Sequence, residues 1–322
     1  MKTAIKVSII VAVSLIAAGI IIFTGVLAIM NWNFSGFFTT KYDTNTHEIS
    51  ESFESVEINS RVADISLLPS TDTSCRVVCY ESPKLYHSVK VVDNTLKIDI
   101  VNERKWYDHI NFGISSNPTL TVYIPEGEYK SLSIESSTGD VGIPAEFSFG
   151  NVTVTLSTGD VKCYADVSSS LSINTSTGGI DIDSVKTAAM TLKTSTGDIR
   201  VNSAECSREV SISVTTGKTY VSGLTCGKLI STGDTGDIIL NNVIAAESFS
   251  IERSTGDVTL EACDAEEIFV TTDTGDVNGT LRSEKVFITN TDTGKINVPN
   301  SITGGRCEIS TDTGDIKISI VS

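Results

Sequence analysis

Catalytic motifs are missing from this sequence of 322 residues. Histidine occurs only as His47, His87 and His109, and none of them lies in a His-Glu-x-x-His or similar ligand pattern. The sequence also lacks Gly-x-Ser-x-Gly and a phosphate-binding loop. Since carboxylates are plentiful, one enzymatic hypothesis stays open, a carbohydrate-active β-helix that uses the segment Trp106–His109. We otherwise assign no catalytic residue and no cofactor.

Positive charge is also in short supply. The sequence has 24 lysines and arginines against 40 aspartates and glutamates. All the acidic residues and 22 of the basic ones lie after residue 30, which gives that part a charge of −18. Nucleic acid is therefore excluded as a partner, because phosphate binding needs clustered Lys and Arg. Anionic lipid surfaces are disfavoured for the same electrostatic reason.

Charged residues are absent from residues 7–30, which follow Lys2 and Lys6. Twenty-four apolar residues are enough to cross a bilayer with some tilt. They are too many for the apolar part of a typical cleaved signal peptide, the alternative reading. We predict a cytoplasmic tail over residues 1–6, a retained transmembrane helix over residues 7–30, and a linker over residues 31–50. The two lysines place the N-terminus in the cytoplasm and the bulk of a single-pass protein outside the cell membrane.

Proline is scarce too, with six residues, which together with 24 glycines indicates an ordered β protein rather than a disordered tail. What the sequence has in abundance is the phrase Thr-Gly, most often followed by Asp. Its glycines recur every 19 or 20 residues, a fixed period that is typical of stacked repeats. The ten glycines are Gly139, Gly159, Gly178, Gly197, Gly217, Gly236, Gly256, Gly275, Gly294 and Gly314.

Apolar residues alternate with polar ones on both sides of each Thr-Gly pair. Val141 and Ile143 follow the first copy, and Val152 and Val154 precede the second. A period of two indicates strands. A meander of hairpins would alternate in the same way, but apolar positions locked to a 19–20-residue period favour coils that pair in parallel. We predict an all-β fold, a parallel β-solenoid of about ten coils over residues 136–322, with β-rich capping coils over residues 51–135.

The Thr-Gly-Asp phrase has a structural and a functional interpretation. In the structural one it is a tight corner, where Gly supplies positive φ and Asp bonds to nearby backbone amides. In the functional one the stacked carboxylates, for example Asp237, Asp257 and Asp276, form a ladder for calcium. Calcium needs several oxygens that converge on one point, and Lys218 and Lys295 interrupt the ladder. We therefore favour the corner and assign no metal.

The seven cysteines show no metal-binding spacing. Cys163 and Cys307 fall at inward positions and are expected to be buried. Cys206 and Cys226 share one position in neighbouring coils, which places them within disulfide reach if the coils stack. Cys75 and Cys79 lie four residues apart on one strand, too far to bridge each other. We expect mostly free thiols.

The sequence ends directly after the strand "DIKISIVS". A solenoid that stops there exposes an unpaired β edge, and such an edge can pair with another chain. We therefore predict partner binding or self-association through Ile316, Ile318 and Ile320.

Several segments together resemble a known family. After the N-terminal anchor come "DISLLPS", "VKVVDNTLKIDI", "KWYDHINF" and "TLTVYIP", and then the repeated "STGDV" and "STGDI". This order is similar to that of the bacterial adhesin-like β-strand-repeat proteins (domain of unknown function 4097, toastrack-like), especially the Firmicute ones, over residues 45–322. The resemblance implies a β-solenoid outside the cytoplasmic membrane, relatives associated with cell-envelope stress sensing, and no established catalytic residue.

Two non-catalytic hypotheses follow. The first is a membrane-anchored scaffold that binds protein partners within its own envelope, in stress sensing or maintenance. The second is an adhesin that contacts other cells, matrix or glycans. The nine steps of about 4.8 Å between ten coils give a rod of roughly 43 Å, a short reach through a thick wall, which favours the first hypothesis.

Overall fold

The structure is a computed structural model that describes residues 2–29, 42–71, 74–105 and 117–321. The segment Trp106–His109 and most of the linker lie outside the described residues. Helix α1 (Lys2–Ile29) is long and apolar enough to cross a membrane. Such a helix near the N-terminus fits a single-pass anchor and also a signal sequence.

All other regular elements of the described residues are strands. The N-terminal cap contains β1 (Asp43–Ile49), β2 (Ser55–Asn59), β3 (Asp64–Pro69), β4 (Cys75–Glu81), β5 (Leu85–Val92), β6 (Thr95–Asn102) and β7 (Thr119–Ile124). The first half of the repeat region contains β8 (Gly127–Thr138), β9 (Val141–Ile143), β10 (Phe147–Thr158), β11 (Val161–Cys163), β12 (Asp166–Thr177), β13 (Ile180–Asp183), β14 (Lys186–Thr196), β15 (Ile199–Asn202), β16 (Glu205–Cys206), β17 (Glu209–Thr216) and β18 (Thr219–Ser222). The second half contains β19 (Thr225–Thr235), β20 (Ile238–Asn241), β21 (Ile244–Thr255), β22 (Val258–Cys263), β23 (Glu267–Thr274), β24 (Val277–Leu281), β25 (Lys285–Thr293), β26 (Ile296–Asn297), β27 (Gly305–Thr313) and β28 (Ile316–Ile320).

The strands form two long, mainly parallel sheets, and each coil gives a long strand to one sheet and a short strand to the other. The Thr-Gly corner joins the two strands of a coil. Val154, Ile173, Leu192 and Ile212 occupy the same register position in successive coils, and none is more than 1% exposed. Because each coil buries its apolar face only against its neighbours, the predicted parallel β-solenoid is confirmed.

At the N-terminal end, spatial order departs from sequence order. The coil β2–β3 lies between β6–β7 on one side and β8–β9 on the other. Beyond it, β5 pairs antiparallel with β6, β4 with β7, and β1 with β4. The turn Asp93–Asn94, with positive φ at both residues, joins β5 to β6, as a two-residue hairpin turn requires.

The C-terminal end is reordered as well, and this corrects the expected free edge. The last coil in sequence, β27–β28, lies between β23–β24 and β25–β26. Ile316 pairs with Val277 on one side and Ile296 on the other. Ile318 and Ile320 pair with Gly279 and Leu281 on the inner side, while β26 reaches only Ile316 and Lys317 on the outer side. The expected edge is therefore corrected at Ile316, and among the described residues no strand pairs with the outer side of Ile318 and Ile320.

The outermost coil of the C-terminal end is instead β25–β26, at the end of both strand orders. The alternating pattern could not reveal this exchange, because every coil carries the same inward positions and fits equally well at either place in the stack.

Candidate functional site

The ten repeat glycines form one file along the corner of the solenoid. At Gly197 φ is +144°, and a Cβ atom there would overlap the carbonyl oxygen of Gly178 in the neighbouring coil. The same overlap recurs along the file, for example between Gly294 and Gly314. The corner therefore requires glycine mainly because adjacent coils approach so closely.

Each aspartate of the corner bonds to the next coil. The carboxylate of Asp140 accepts the amide N–H of Asp160 at 2.8 Å, and that of Asp160 accepts the amide of Gly179 at 2.7 Å. The file continues beyond the reordered coil, where Asp276 accepts the amide of Asp315 and Asp315 that of Lys295, both at 2.8 Å. The aspartates thus satisfy amides that the corner leaves unpaired.

Threonine hydroxyls add a second file beside the first. The hydroxyl of Thr194 donates to the carbonyl of Gly178 at 2.9 Å, and that of Thr311 donates to Gly275 at 3.0 Å. These threonines lie three residues before the repeat glycine, whereas the threonine of the phrase accepts the glycine N–H of a neighbouring coil with its backbone carbonyl, as Thr196 does from Gly178. Backbone and side-chain bonds at the corner therefore hold each coil to the next, which gives the phrase a structural use.

The aspartates named for calcium do not converge. Asp237 and Asp257 each accept the amide one coil further on, at 3.2 and 2.8 Å, and each coil supplies one carboxylate. The ammonium of Lys218 lies 2.8 Å from Asp237 and, together with the amide of Asp257, lowers the pKa of Asp237. A cation is thus provided locally where the corner sequence changes from Asp to Lys.

The core holds buried cations that the sequence reading did not single out, Arg253 and Lys285. Arg253 is 1% exposed and stands at the inward position that threonine occupies in other coils. Its guanidinium donates to the carbonyl of Val214 at 3.1 Å and to the hydroxyl of Thr219 at 2.8 Å. The guanidinium occupies the space that a side chain would fill if residue 233 were not glycine. Burial lowers the pKa of Arg253. In the sequence, Gly233, Arg253 and Thr219 each differ from the residue type that other coils carry at the same position. This shared difference is the feature that could have indicated the buried arginine.

All seven cysteines are buried free thiols. Cys163 and Cys307 are fully buried, as predicted. Cys206 and Cys226 follow the paired residues Glu205 and Thr225 in neighbouring coils, but they are not bonded.

Exposed apolar side chains gather on the coil β25–β26. Val286 is 37%, Ile288 48% and Ile296 45% exposed. Ile296 occupies the same position as Ile316, which is fully buried, so Ile296 is a core residue without a further coil to cover it. Unpaired backbone and uncovered apolar residues together mark a place where another strand can add.

The loop that follows this coil presents one more apolar residue. Ile302 is 90% exposed. On either side of it, the hydroxyls of Ser301 and Thr303 donate to the carboxylate of Glu284 at 3.0 and 2.8 Å, which lowers the pKa of Glu284. These bonds hold the turn so that Ile302 points away from the protein. We call Val286, Ile288, Ile296 and Ile302 the terminal patch.

A buried polar network closes the opposite end. Glu81 accepts the Nδ1–H of His87 at 2.7 Å, the backbone N–H of His87 at 2.8 Å and the side-chain amide of Asn45 at 2.8 Å. Ser60 Oγ lies 3.1 Å from the other ring nitrogen of His87. Burial alone would raise the pKa of Glu81, but the hydrogen bonds from His87 and Asn45 outweigh burial and lower it.

The order Ser60–His87–Glu81 is the hydrogen-bond order of a serine-hydrolase relay, an arrangement that no motif in the sequence predicted. A polar groove of about 320 Å³ lies beside Ser60. Acyl transfer also needs N–H donors for the developing oxyanion. The backbone amides of Ser60, Ala63 and Thr138 all donate to backbone carbonyls already, so these three amides do not form an oxyanion site beside Ser60.

The sequence could not single out this network, because its members come from four separate segments with no common spacing. His47 and Cys79 lie beside Glu81 in the same cluster. Among the described residues, this is the one group of three or more potential metal ligands whose atoms lie within 4.8 Å of one another.

Comparison with known proteins adds a family and a fold. A family model described as toastrack DUF4097 matches residues 53–217 and 207–322. No curated protein matches the chain. A solved structure from Parabacteroides merdae, named "putative adhesin", has a TM-score of 0.51 at 13% identity, over 75% of this chain and 97% of that one. A "putative adhesin" from Bacteroides fragilis has a TM-score of 0.44 at 14% identity, over 87% of this chain and 99% of that one. The first likeness shows a shared fold.

Proposed function

This chain belongs to the toastrack DUF4097 family, and on that premise we propose that it is a non-catalytic protein-interaction scaffold, anchored by α1 in the cell membrane and displayed outside the cytoplasm. It acts within its own envelope, in stress sensing or maintenance. Its partner is a protein that adds an extended strand to the coil β25–β26.

One observation carries this proposal. The coil β25–β26 has the strand backbone and the inward residue Ile296 that are typical of an interior coil. Among the described residues, however, no strand pairs with its outer side. Strand addition supplies main-chain hydrogen bonds, while alternate side chains give specificity. The occupant we infer is an apolar strand with basic flanks, because the external part carries a charge of −18.

Uniform coils support a non-catalytic role. Polysaccharide-cleaving β-helices need clefts, whereas the repeats here follow one another at 19 or 20 residues. The corner carboxylates, which are the most regular acids of the chain, are engaged with backbone amides.

Photo-crosslinking in living cells tests the proposal. A photoreactive amino acid replaces Ile288, and the matched control carries it at Thr153, which occupies the same register position on an interior coil and is also exposed. We expect adducts with envelope proteins of the same cell at Ile288, at several times the yield found at Thr153. Ile296→Lys should remove these adducts, while Thr153→Lys should leave them.

Two other outcomes decide against the proposal. Equal yields at both positions would show that the terminal patch is not the binding surface. Adducts that form only with added matrix, glycan-bearing surfaces or other cells would replace the envelope scaffold with an adhesin.

A further inference from the structure

The cap brings three different metal-binding side chains together at its outer edge. In the antiparallel pair of β1 and β4, Asn45 lies opposite Cys79, and Asp43 lies opposite Glu81. Side chains two residues apart share a face of a strand. His47 on β1 and Cys79 and Glu81 on β4 therefore converge, and one ligand atom of each lies within 4.8 Å of the other two.

One atom of this cluster lacks a partner. Nε2 of His47 is buried and has no hydrogen bond among the described residues. Buried polar atoms are nearly always partnered, and the neighbouring Glu81 accepts three hydrogen bonds. His47 Nε2, which carries either a lone pair or a proton, thus lies close to the sulfur of Cys79 and a carboxylate oxygen of Glu81.

We propose that His47, Cys79 and Glu81 bind one zinc ion, or a divalent cation of similar softness. Imidazole nitrogen, thiolate sulfur and carboxylate oxygen are the ligands that zinc takes in proteins. One thiolate and one carboxylate balance the charge of a dication, so the filled site is neutral. Neutrality matters here because Cys79 and Glu81 are 0% and 2% exposed, and an unbalanced buried charge is costly.

The ligand distances fit this assignment after a small contraction. Zinc bonds of about 2.0 to 2.3 Å in tetrahedral geometry hold ligand atoms roughly 3.3 to 3.8 Å apart. The three ligand atoms lie within 4.8 Å of one another, so side-chain rotations of about an ångström bring them to the metal. Three protein ligands leave a fourth position for water or for a group of a partner.

The surrounding network prepares Glu81 for the role. Asn45 bonds to one carboxylate oxygen, and His87 bonds to the other with both its ring and its backbone N–H. Ser60 in turn bonds to His87. Outer partners of this kind orient ligands in metal sites, and their loss weakens metal binding about 10- to 100-fold. The network of Asn45, His87 and Ser60 thus orients Glu81 as a metal ligand.

The position of the site suggests its effect. Strand β1 is the first strand after α1 and the segment beyond it, and it pairs with β4 on one side only. A metal held by both strands fastens the start of the external part to the solenoid, much as a disulfide would, but without an oxidant.

Zinc titration of the purified full chain tests the site. The protein is stripped with a chelator in detergent and titrated with zinc by calorimetry, with metal content measured in parallel. We expect one zinc per chain and a rise in melting temperature. His47→Ala and Cys79→Ser should each weaken binding at least about tenfold, and Asn45→Ala should weaken it by about tenfold through loss of orientation.

The control is Cys163→Ser, which alters a fully buried thiol of the solenoid and should bind zinc as the natural chain does. Cobalt gives a second readout, since a bound thiolate produces a charge-transfer absorption band. That band should appear in the natural chain and in Cys163→Ser, and should be lost in Cys79→Ser.

The proposal is overturned if the natural chain binds no zinc, or binds several ions with an affinity that His47→Ala does not change, as exposed carboxylates would. A cobalt complex without a thiolate band in the natural chain would also refute it, whether or not Cys79→Ser folds.

Discussion

At its N-terminal end the solenoid is covered by antiparallel strands, whereas at its C-terminal end the coil β25–β26 simply ends the stack. Strand β4 lies in one sheet and β5 in the other, and the short turn between them crosses the end of the core. Beneath this turn lies the network of Glu81, His87 and Ser60. At the other end, Ile296 is 45% exposed, although its partner Ile316 is fully buried.

The difference teaches how a repeat can end. The residues that close the N-terminal end are those that abandon the repeat, with the antiparallel hairpin β5–β6, the antiparallel strands β4 and β1, and buried polar groups. The C-terminal coil keeps the repeat and therefore keeps its capacity to be extended. An open surface arises here without any special motif, because the repeat is not closed.

Substitution of corner glycines should give the largest effect and should separate the interior from the open end. Gly197→Ala forces a Cβ atom into the carbonyl of Gly178 at positive φ. We expect a loss of about 4 kcal/mol or more in the free energy of unfolding, measured by urea denaturation. Gly294→Ala meets a similar overlap with Gly314, but its coil has a neighbour on one side only and can shift, so about 1 to 2 kcal/mol is expected.

Gly142→Ala is the control for both, since a Cβ atom at Gly142 meets nothing within 4 Å. Equal losses at Gly197 and Gly294 would mean that the terminal coil is as rigid as the interior, and the contrast between the two ends would then fail.

Removal of one carboxylate at each end should give an intermediate effect. Glu81 is 2% exposed and accepts three hydrogen bonds, so Glu81→Ala in metal-free protein should cost about 3 kcal/mol, because buried donors lose their acceptor. Glu284 is exposed and accepts two hydroxyl bonds, so Glu284→Ala should cost much less than Glu81→Ala. Thermal unfolding of both variants measures the difference, and losses of similar size would contradict a closed N-terminal end.

Loss of the ion pair between Lys218 and Asp237, at the corner between the two ends, should have the smallest effect on the free energy of unfolding. This effect should depend on pH. Lys218 lowers the pKa of Asp237, so the stabilisation is present above the unfolded value of about 3.9 and is lost as pH falls through the folded value. Both side chains are at least one third exposed, so we expect less than about 1 kcal/mol, weaker still at high salt.

Urea unfolding of the natural chain and of Lys218→Gln between pH 3 and 6 tests this expectation. The stability difference between the two should shrink as pH falls. A difference that stays constant with pH would show that Lys218 acts by packing rather than by charge.

The sequence was sufficient for the coils but not for their order at the ends. Period, inward positions and corner residues repeat so strictly that a parallel solenoid follows from them. That same regularity hides which coil neighbours which, and the edge expected at Ile316 is therefore covered by Ile296. The cluster of His47, Cys79 and Glu81 depends on the antiparallel register of β1 and β4, which no spacing in the chain encodes.

The position of the coil β27–β28 also sets an order in time. The ribosome delivers residues 285–297 before residues 305–320, yet the earlier coil ends up outside the later one. During synthesis, the edge of β23–β24 must therefore stay unpaired until residues 305–320 emerge. Alternatively, β25–β26 first pairs with β23–β24 and is then displaced by residues 305–320. This end of the rod is thus assembled by an insertion, and the coil β25–β26 can take its final place only after residues 305–320 have been translated.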